Sequence, residues 1–166
     1  MLPESWQTVE QLLLLCASTG QSELVALDAV LQVIQQSLPA TCITLLLIEP
    51  STYRYATVST NLNDWIQQTI AISYDRDMTF IEHIQGQSYD AAIVFTAPGQ
   101  SPYALAYYCY LAGIPLRLGQ SQEFGGGVLS HAVQPPIAAT TLTGYYLHLL
   151  KSIGFSLAES AMIAIG

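Results

Sequence analysis

The chain has 166 residues, 51% of them hydrophobic, enough to bury a full core and too few to hold two domains comfortably. A formal net charge of -8, with only Arg54, Arg76, Arg117 and Lys151 as fixed cations, removes nucleic acid and anionic membranes as partners. Charged residues make up 10% of the chain against roughly 25% in ordinary soluble domains, so an apolar face covered by a protein partner or a second copy is expected.

Residues 1–10 are acidic and lack the positive start of a secretory signal, and the apolar run that follows is too short to span a bilayer. A cytoplasmic chain with no transmembrane segment is expected. Residues 12–16 read as a first strand, and the turn 17–21 leads to Ser22, a good N-cap, with Glu23 in the first helical turn where the dipole favours it. Leu24, Leu27, Val30, Ile34 and Leu38 then recur at helical spacing until Pro39 stops the pattern. Residues 42–48, an apolar run with two Ile and a Thr, are the second strand.

Residues 61–68 read as a short helix carrying Trp65, and 69–73 as a short third strand before the polar loop 75–77. A helix follows over 78–85, with Phe80, Ile81 and Ile84 on one side. Tyr89-Asp90 then opens the apolar strand 91–95, a crossover helix spans 104–111, and the next strand runs through 115–118. The loop 97–102 lies at the carboxyl end of its strand, where open parallel sheets place ligands. A glycine-rich loop over 119–127, the segment 128–133, the break at Pro135-Pro136 and a long helix over 140–153 complete the chain. Alternating strands and helices predict an α/β fold, a three-layer α/β/α Rossmann-like domain with a mainly parallel sheet, occupying residues 1–166 as one domain.

Sites for chemistry are sparse. Cys16, Cys42 and Cys109 are widely spaced among apolar neighbours and read as buried free thiols. His83, His131 and His148 have no partner at metal-ligand or triad spacing, so no metal is implied, and no cofactor either. No G-x-G-x-x-G or P-loop pattern occurs, and Glu123 ahead of Gly125-Gly126-Gly127 would repel phosphate. Ser101 is not in a nucleophile elbow. Arg117, the one basic residue in an apolar strand, either pairs with a carboxylate or faces a ligand at the sheet's edge.

The strand 89–96 and the stretch Leu111-Ala112-Gly113-Ile114-Pro115-Leu116-Arg117-Leu118-Gly119 resemble the "YDaaivf" and "lagiPlRlG" segments of the N-terminal half of family 9 glycosyltransferases, the ADP-heptose transferases and their relatives. Trp6, the strand 12–15, Leu24, Val30 and Val33 are similar to the family's opening, and residues 143–155 are similar to the helix that closes its N-terminal domain. The resemblance runs from about Trp6 to about Phe155 and implies one half of a GT-B architecture, the acceptor-side domain, with catalysis near Gly20, Gln21, Ser22, Glu23, Gly99, Gln100 and Arg117. It also marks departures. The family's Gly-Asp pair, whose carboxylate serves as general base, falls here on Gln21 and Ser22, leaving Glu23 as the nearest substitute, and the chain ends where the nucleotide-sugar domain is expected to begin.

Two readings follow. In one the chain is the acceptor-side domain of a heptosyltransferase-like enzyme, contacting a sugar acceptor and inactive alone. In the other, a glycosyltransferase-like half is a non-catalytic binding or assembly module in a larger protein complex.

Overall fold

A computed structural model describes residues 1–16, 21–49, 54–56, 68–69, 77–122, 127–138 and 140–157. In chain order the elements are α1 (Glu4–Gln7), β1 (Gln11–Cys16), α2 (Gln21–Ser37), β2 (Cys42–Glu49), β3 (Arg54–Ala56), β4 (Gln68–Thr69), α3 (Asp77–Gly86), β5 (Ala91–Phe95), α4 (Tyr103–Leu111), β6 (Leu116–Gln120), β7 (His131–Val133) and α5 (Leu142–Ile153). The expected helix 61–68 and strand 69–73 fall outside the described residues except at Gln68 and Thr69, which form β4.

Five strands, in the order β2-β1-β5-β6-β7, pair in parallel throughout. Along the outer edge of β2, β4 adds in parallel and β3 pairs antiparallel. With β3 set aside, the order β4-β2-β1-β5-β6-β7 is that of a doubly wound sheet, and the chain reverses direction across the sheet between β1 and β5.

The sheet is held from its middle. Leu12, Leu13, Leu14, Leu15 and Cys16 are all fully buried, and a strand covered on both faces has no need of polar alternation. Leu12, Leu14 and Cys16 point to the layer of α2 and α5, where they meet Leu27, Val30, Ile34, Tyr146 and Leu150. Leu13 and Leu15 point to the layer of α3 and α4, with Ile81, Ile84, Leu105 and Cys109. Each leucine so buried contributes about 1.5–3 kcal/mol.

The amino ends of the central strands are tied by a side chain. Asp90 Oδ2 accepts from the backbone N–H groups of Glu10 (2.9 Å) and Gln11 (2.8 Å), while Asp90 N donates to Gln11 O (2.9 Å). On the other edge of β1, Thr41 Oγ1 donates to Val9 O (2.7 Å). The Tyr-Asp entry to β5 thus has a physical reason, because the carboxylate satisfies two donors that lie ahead of the ladder. At the end of the chain, Thr141 Oγ1 caps α5 by accepting from Gly144 N (3.0 Å). Gly154, at φ 111°, closes the helix through Phe155 N to Leu150 O and Gly154 N to Lys151 O.

All three cysteines are free; Cys16 and Cys109 are buried and Cys42 is half-buried. Burial pushes the Cys109 thiol up to about 12, against a smaller opposing pull from Arg117, so it stays protonated at neutral pH. No helix among the described residues is long and apolar enough to cross a membrane.

Replacing Asp90 by Ala strands two backbone donors and is expected to lower stability by about 1–3 kcal/mol, read as a fall in the urea midpoint. Asp90→Asn keeps an acceptor oxygen and is expected to lose less.

Candidate functional site

The loops leaving β5, β6 and β7 all open on the carboxyl side of the sheet, and between them lies a cavity of about 590 Å³, within the range of small-molecule sites. Pro98, Gly99, Gln100 and Ser101 come from the first loop, Gln120, Ser121 and Gln122 from the end of β6, and Pro135, Pro136, Ile137 and Ala138 from the segment after β7. Thr140 and Tyr145, at the entry to α5, complete the described wall.

Local chemistry shapes each side. The 97–100 turn closes twice, with Gln100 N donating to Ala97 O (3.0 Å) and Gln100 Oε1 accepting from Ala97 N (3.0 Å). Gly99 holds the left-handed position in it, at φ 84°. Ser101 Oγ accepts from Tyr103 N (3.2 Å) at the start of α4. Gln120 is 2% exposed; its Nε2 donates to Tyr145 O (2.8 Å), while Oε1 is a buried acceptor with no partner. Burial holds the Tyr145 phenol above its ordinary pKa, so it stays protonated at neutral pH. None of the described lining residues carries a charge.

Of the residues expected at a site, Gly99 and Gln100 line the cavity. Gln21, Ser22 and Glu23 form the first turn of α2 and are not among its described walls, and Gly20 lies outside the described residues. Glu23 is half-buried and has a contact of its own; its charge adds to the burial that holds the Tyr146 phenol far above its ordinary value.

Arg117 differs most from expectation. It is 9% exposed, near the amino end of β6, and its guanidinium spends its donors on backbone carbonyls. Nε reaches Val128 O (2.6 Å), one terminal nitrogen reaches Ile114 O (2.5 Å) and Pro115 O (3.3 Å), and the other reaches Gly127 O (3.1 Å). The guanidinium also lies 5.2 Å from the centre of the Tyr110 ring. Its described partners are neither a carboxylate nor the cavity. It knits the two connections that flank β6, because a planar five-donor group fits several carbonyls at once.

His131 and His148 have structural partners. His131 Nδ1 lies 3.1 Å from Ser130 Oγ, with its ring edge-on to Trp6, and His148 Nε2 lies 3.0 Å from Gln134 O. Among the described residues no three His, Cys, Asp or Glu side chains gather to hold a metal. The part of the cavity wall that sequence reasoning missed is Gln120-Ser121-Gln122, residues 135–138, Thr140 and Tyr145. The available signal was their position after β6 and β7, on the ligand side of a parallel sheet.

The fold is similar to that of a glycosyl transferase family 9 protein from Veillonella parvula DSM 2008, at 12% identity and TM-score 0.62, covering 87% of this chain and 41% of that one. It is also similar to E. coli ADP-heptose lps heptosyltransferase II (17%, TM-score 0.58, 82% and 39%) and to E. coli heptosyltransferase WaaC with ADP (16%, TM-score 0.60, 89% and 48%). The chain spans less than half the length of each. The family resemblance drawn from its motifs is therefore met by solved structures of that family, at identities where likeness is one of fold. No protein-family model and no curated protein matches the sequence.

Arg117→Met removes the donors from four carbonyls and is expected to cost about 2–4 kcal/mol in a denaturation experiment. Arg117→Lys is expected to rescue little, since one ammonium cannot reproduce the fork.

Proposed function

We propose that residues 1–166 form one Rossmann-like domain, half of a GT-B architecture, that holds a saccharide at the carboxyl ends of β5, β6 and β7 and transfers nothing by itself. The observation that carries this reading is the cavity's wall of neutral amides, hydroxyls, proline and glycine, on a fold shared with heptosyltransferases. Amides and hydroxyls match the mixed donors and acceptors of a sugar ring, and the apolar prolines match its C–H faces.

Transfer needs more. An acceptor hydroxyl must lose its proton to a positioned base, and the described wall offers no carboxylate, imidazole or amine. Ser22, at the position where the resemblance places the family's carboxylate, cannot take a proton near neutral pH, and Glu23 is not among the described residues of the cavity wall. Transfer without a positioned base typically loses about 10²- to 10⁴-fold, and transfer without a domain to orient the donor forfeits much of a proximity term of about 7–11 kcal/mol. The free buried thiols suit a reducing, cytoplasmic setting.

A second reading has its own observation. Tyr107, Tyr110 and Leu111, on the outer side of α4, are 47%, 53% and 43% exposed, and the two tyrosine rings stack at 6.3 Å. An exposed aromatic shelf of this kind supports an assembly role in which a protein partner or a second copy covers α4.

With the 166-residue chain, calorimetry against ADP- and UDP-sugars is expected to show no tight binding, and a donor-hydrolysis assay no turnover, with Glu23→Gln changing neither. Micromolar nucleotide-sugar binding, or turnover abolished by Glu23→Gln, would overturn this reading. For the assembly role, light scattering is expected to give a mass above that of the 18.0 kDa monomer at tens of micromolar, roughly the range of weak association (Kd in the micromolar to millimolar range). A clean monomer at high concentration counts against self-association.

A further inference from the structure

The two rims of the cavity are held very differently. β5 and β7 flank β6, so the turn 97–100 and the segment after β7 face each other across the end of β6. The turn is fastened onto itself, with Gln100 N donating to Ala97 O and Ala97 N donating to Gln100 Oε1, both at 3.0 Å. The other rim has no such bonds. The ladder between β6 and β7 stops where Ser121 N donates to Val133 O (2.9 Å), and Pro135 and Pro136 have no N–H with which to continue it. Among the described residues, 135–138 make no hydrogen bond.

This segment is tied at its start. His148 Nε2, on α5, lies 3.0 Å from Gln134 O, and because a carbonyl can only accept, the ring nitrogen is the donor. Two successive prolines, with the restriction each places on the residue before it, keep the next residues extended and stiff. A stiff arm anchored at one end and unbonded beyond it moves as one piece.

Ile137 lies beyond the two prolines. It lines the cavity, yet it is 106% exposed and so packs against nothing in this arrangement. An isoleucine left wholly in water adds nothing to the fold, and any apolar surface it can reach is a better place for it. The nearest offer on the fastened rim is Pro98, an exposed apolar ring that lines the same cavity.

We propose that Gln134–Ala138 is a flap that closes over the cavity, anchored by His148 at Gln134 and bringing Ile137 against Pro98 above a bound ligand. The inference rests on the ligand-site reading of this cavity and adds the element that shuts it. Closure removes Ile137 from water and encloses the ligand, the usual service of a lid.

One test needs no ligand. In the 166-residue chain with Cys42→Ala, which removes the half-buried thiol, Pro98→Cys with Ile137→Cys is expected to form a disulfide under mild oxidation at least about tenfold faster than Pro98→Cys with Val25→Cys. Val25 is 56% exposed, on α2, and does not line the cavity. Equal rates for the two pairs overturn the flap. A second test follows the Ile137 methyl by NMR with a soluble gadolinium chelate, using methyl glycosides of glucose, galactose and mannose as probes. The methyl is expected to be broadened in the free chain and to lose that broadening when a glycoside binds. Ile137→Ser is expected to leave the urea midpoint unchanged and to weaken glycoside binding about tenfold, the scale of an isoleucine brought partly out of water. That split separates closure from a role in folding. A bound glycoside that leaves Ile137 open to the chelate overturns the flap while the saccharide reading stands. Fast cross-linking in a chain that binds none of the glycosides supports the flap and strikes the saccharide reading alone.

Discussion

The burial of β1 on both faces and both edges is the constraint on which the rest of the structure depends. Its residues 12–16 are fully covered, α2 and α5 close one side, α3 and α4 close the other, and β2 and β5 take the two edges. A strand in that position has no surface left to present. The chain must therefore leave it on one side for β2 and return on the other for β5, and the reversal creates the crevice at the carboxyl ends of the strands. Asp90 and Thr41 act at the opposite end, where they tie together the starts of β1, β2 and β5.

What lies in the crevice departs from what a phosphate-handling site would require. No glycine-rich strand-to-helix turn stands after β1, and the described cavity sits farther along the sheet, over β5 to β7, among amides, hydroxyls and prolines. The fold alone therefore says little about catalysis, and fold does not fix function. The described wall offers neutral polar groups and no carboxylate, imidazole or cation. The same scarcity of charge marks the outer side of α4, where Tyr107, Tyr110 and Leu111 are exposed. One compositional fact, few charges on a chain rich in Tyr, Gln and Ser, thus has two structural expressions, a neutral cavity and an aromatic shelf.

Arg117 shows how little local pattern says about the partners a residue finds. A lone cation in an apolar strand must have its donors satisfied, and the sequence offered a carboxylate or a ligand as candidates. Its described partners are the carbonyls of Ile114, Pro115, Gly127 and Val128, groups that every residue carries and that no sequence pattern marks. Their convergence on one guanidinium depends on two loops separated by the whole of β6.

The sequence by itself determined most of the described elements and their order, though not α1 or β3. The strands at 12–16, 42–48 and 91–95 and the helices after Ser22 and Thr140 lie within one or two residues of where they form, because apolar runs, helical periodicity and Pro or Gly punctuation act over a few neighbouring residues. From the candidate site, Gly99 and Gln100 were legible, since a loop at the carboxyl end of a buried strand is a local feature with a known place in a parallel sheet. Only the tertiary structure brought Gln120, residues 135–138 and Tyr145 to the same cavity, left Ser22 and Glu23 off its described wall, and turned Arg117 onto the backbone. Such placements depend on which loops converge across the sheet and how far each strand runs before it ends. Those are consequences of packing between residues up to about a hundred positions apart, which local pattern does not encode.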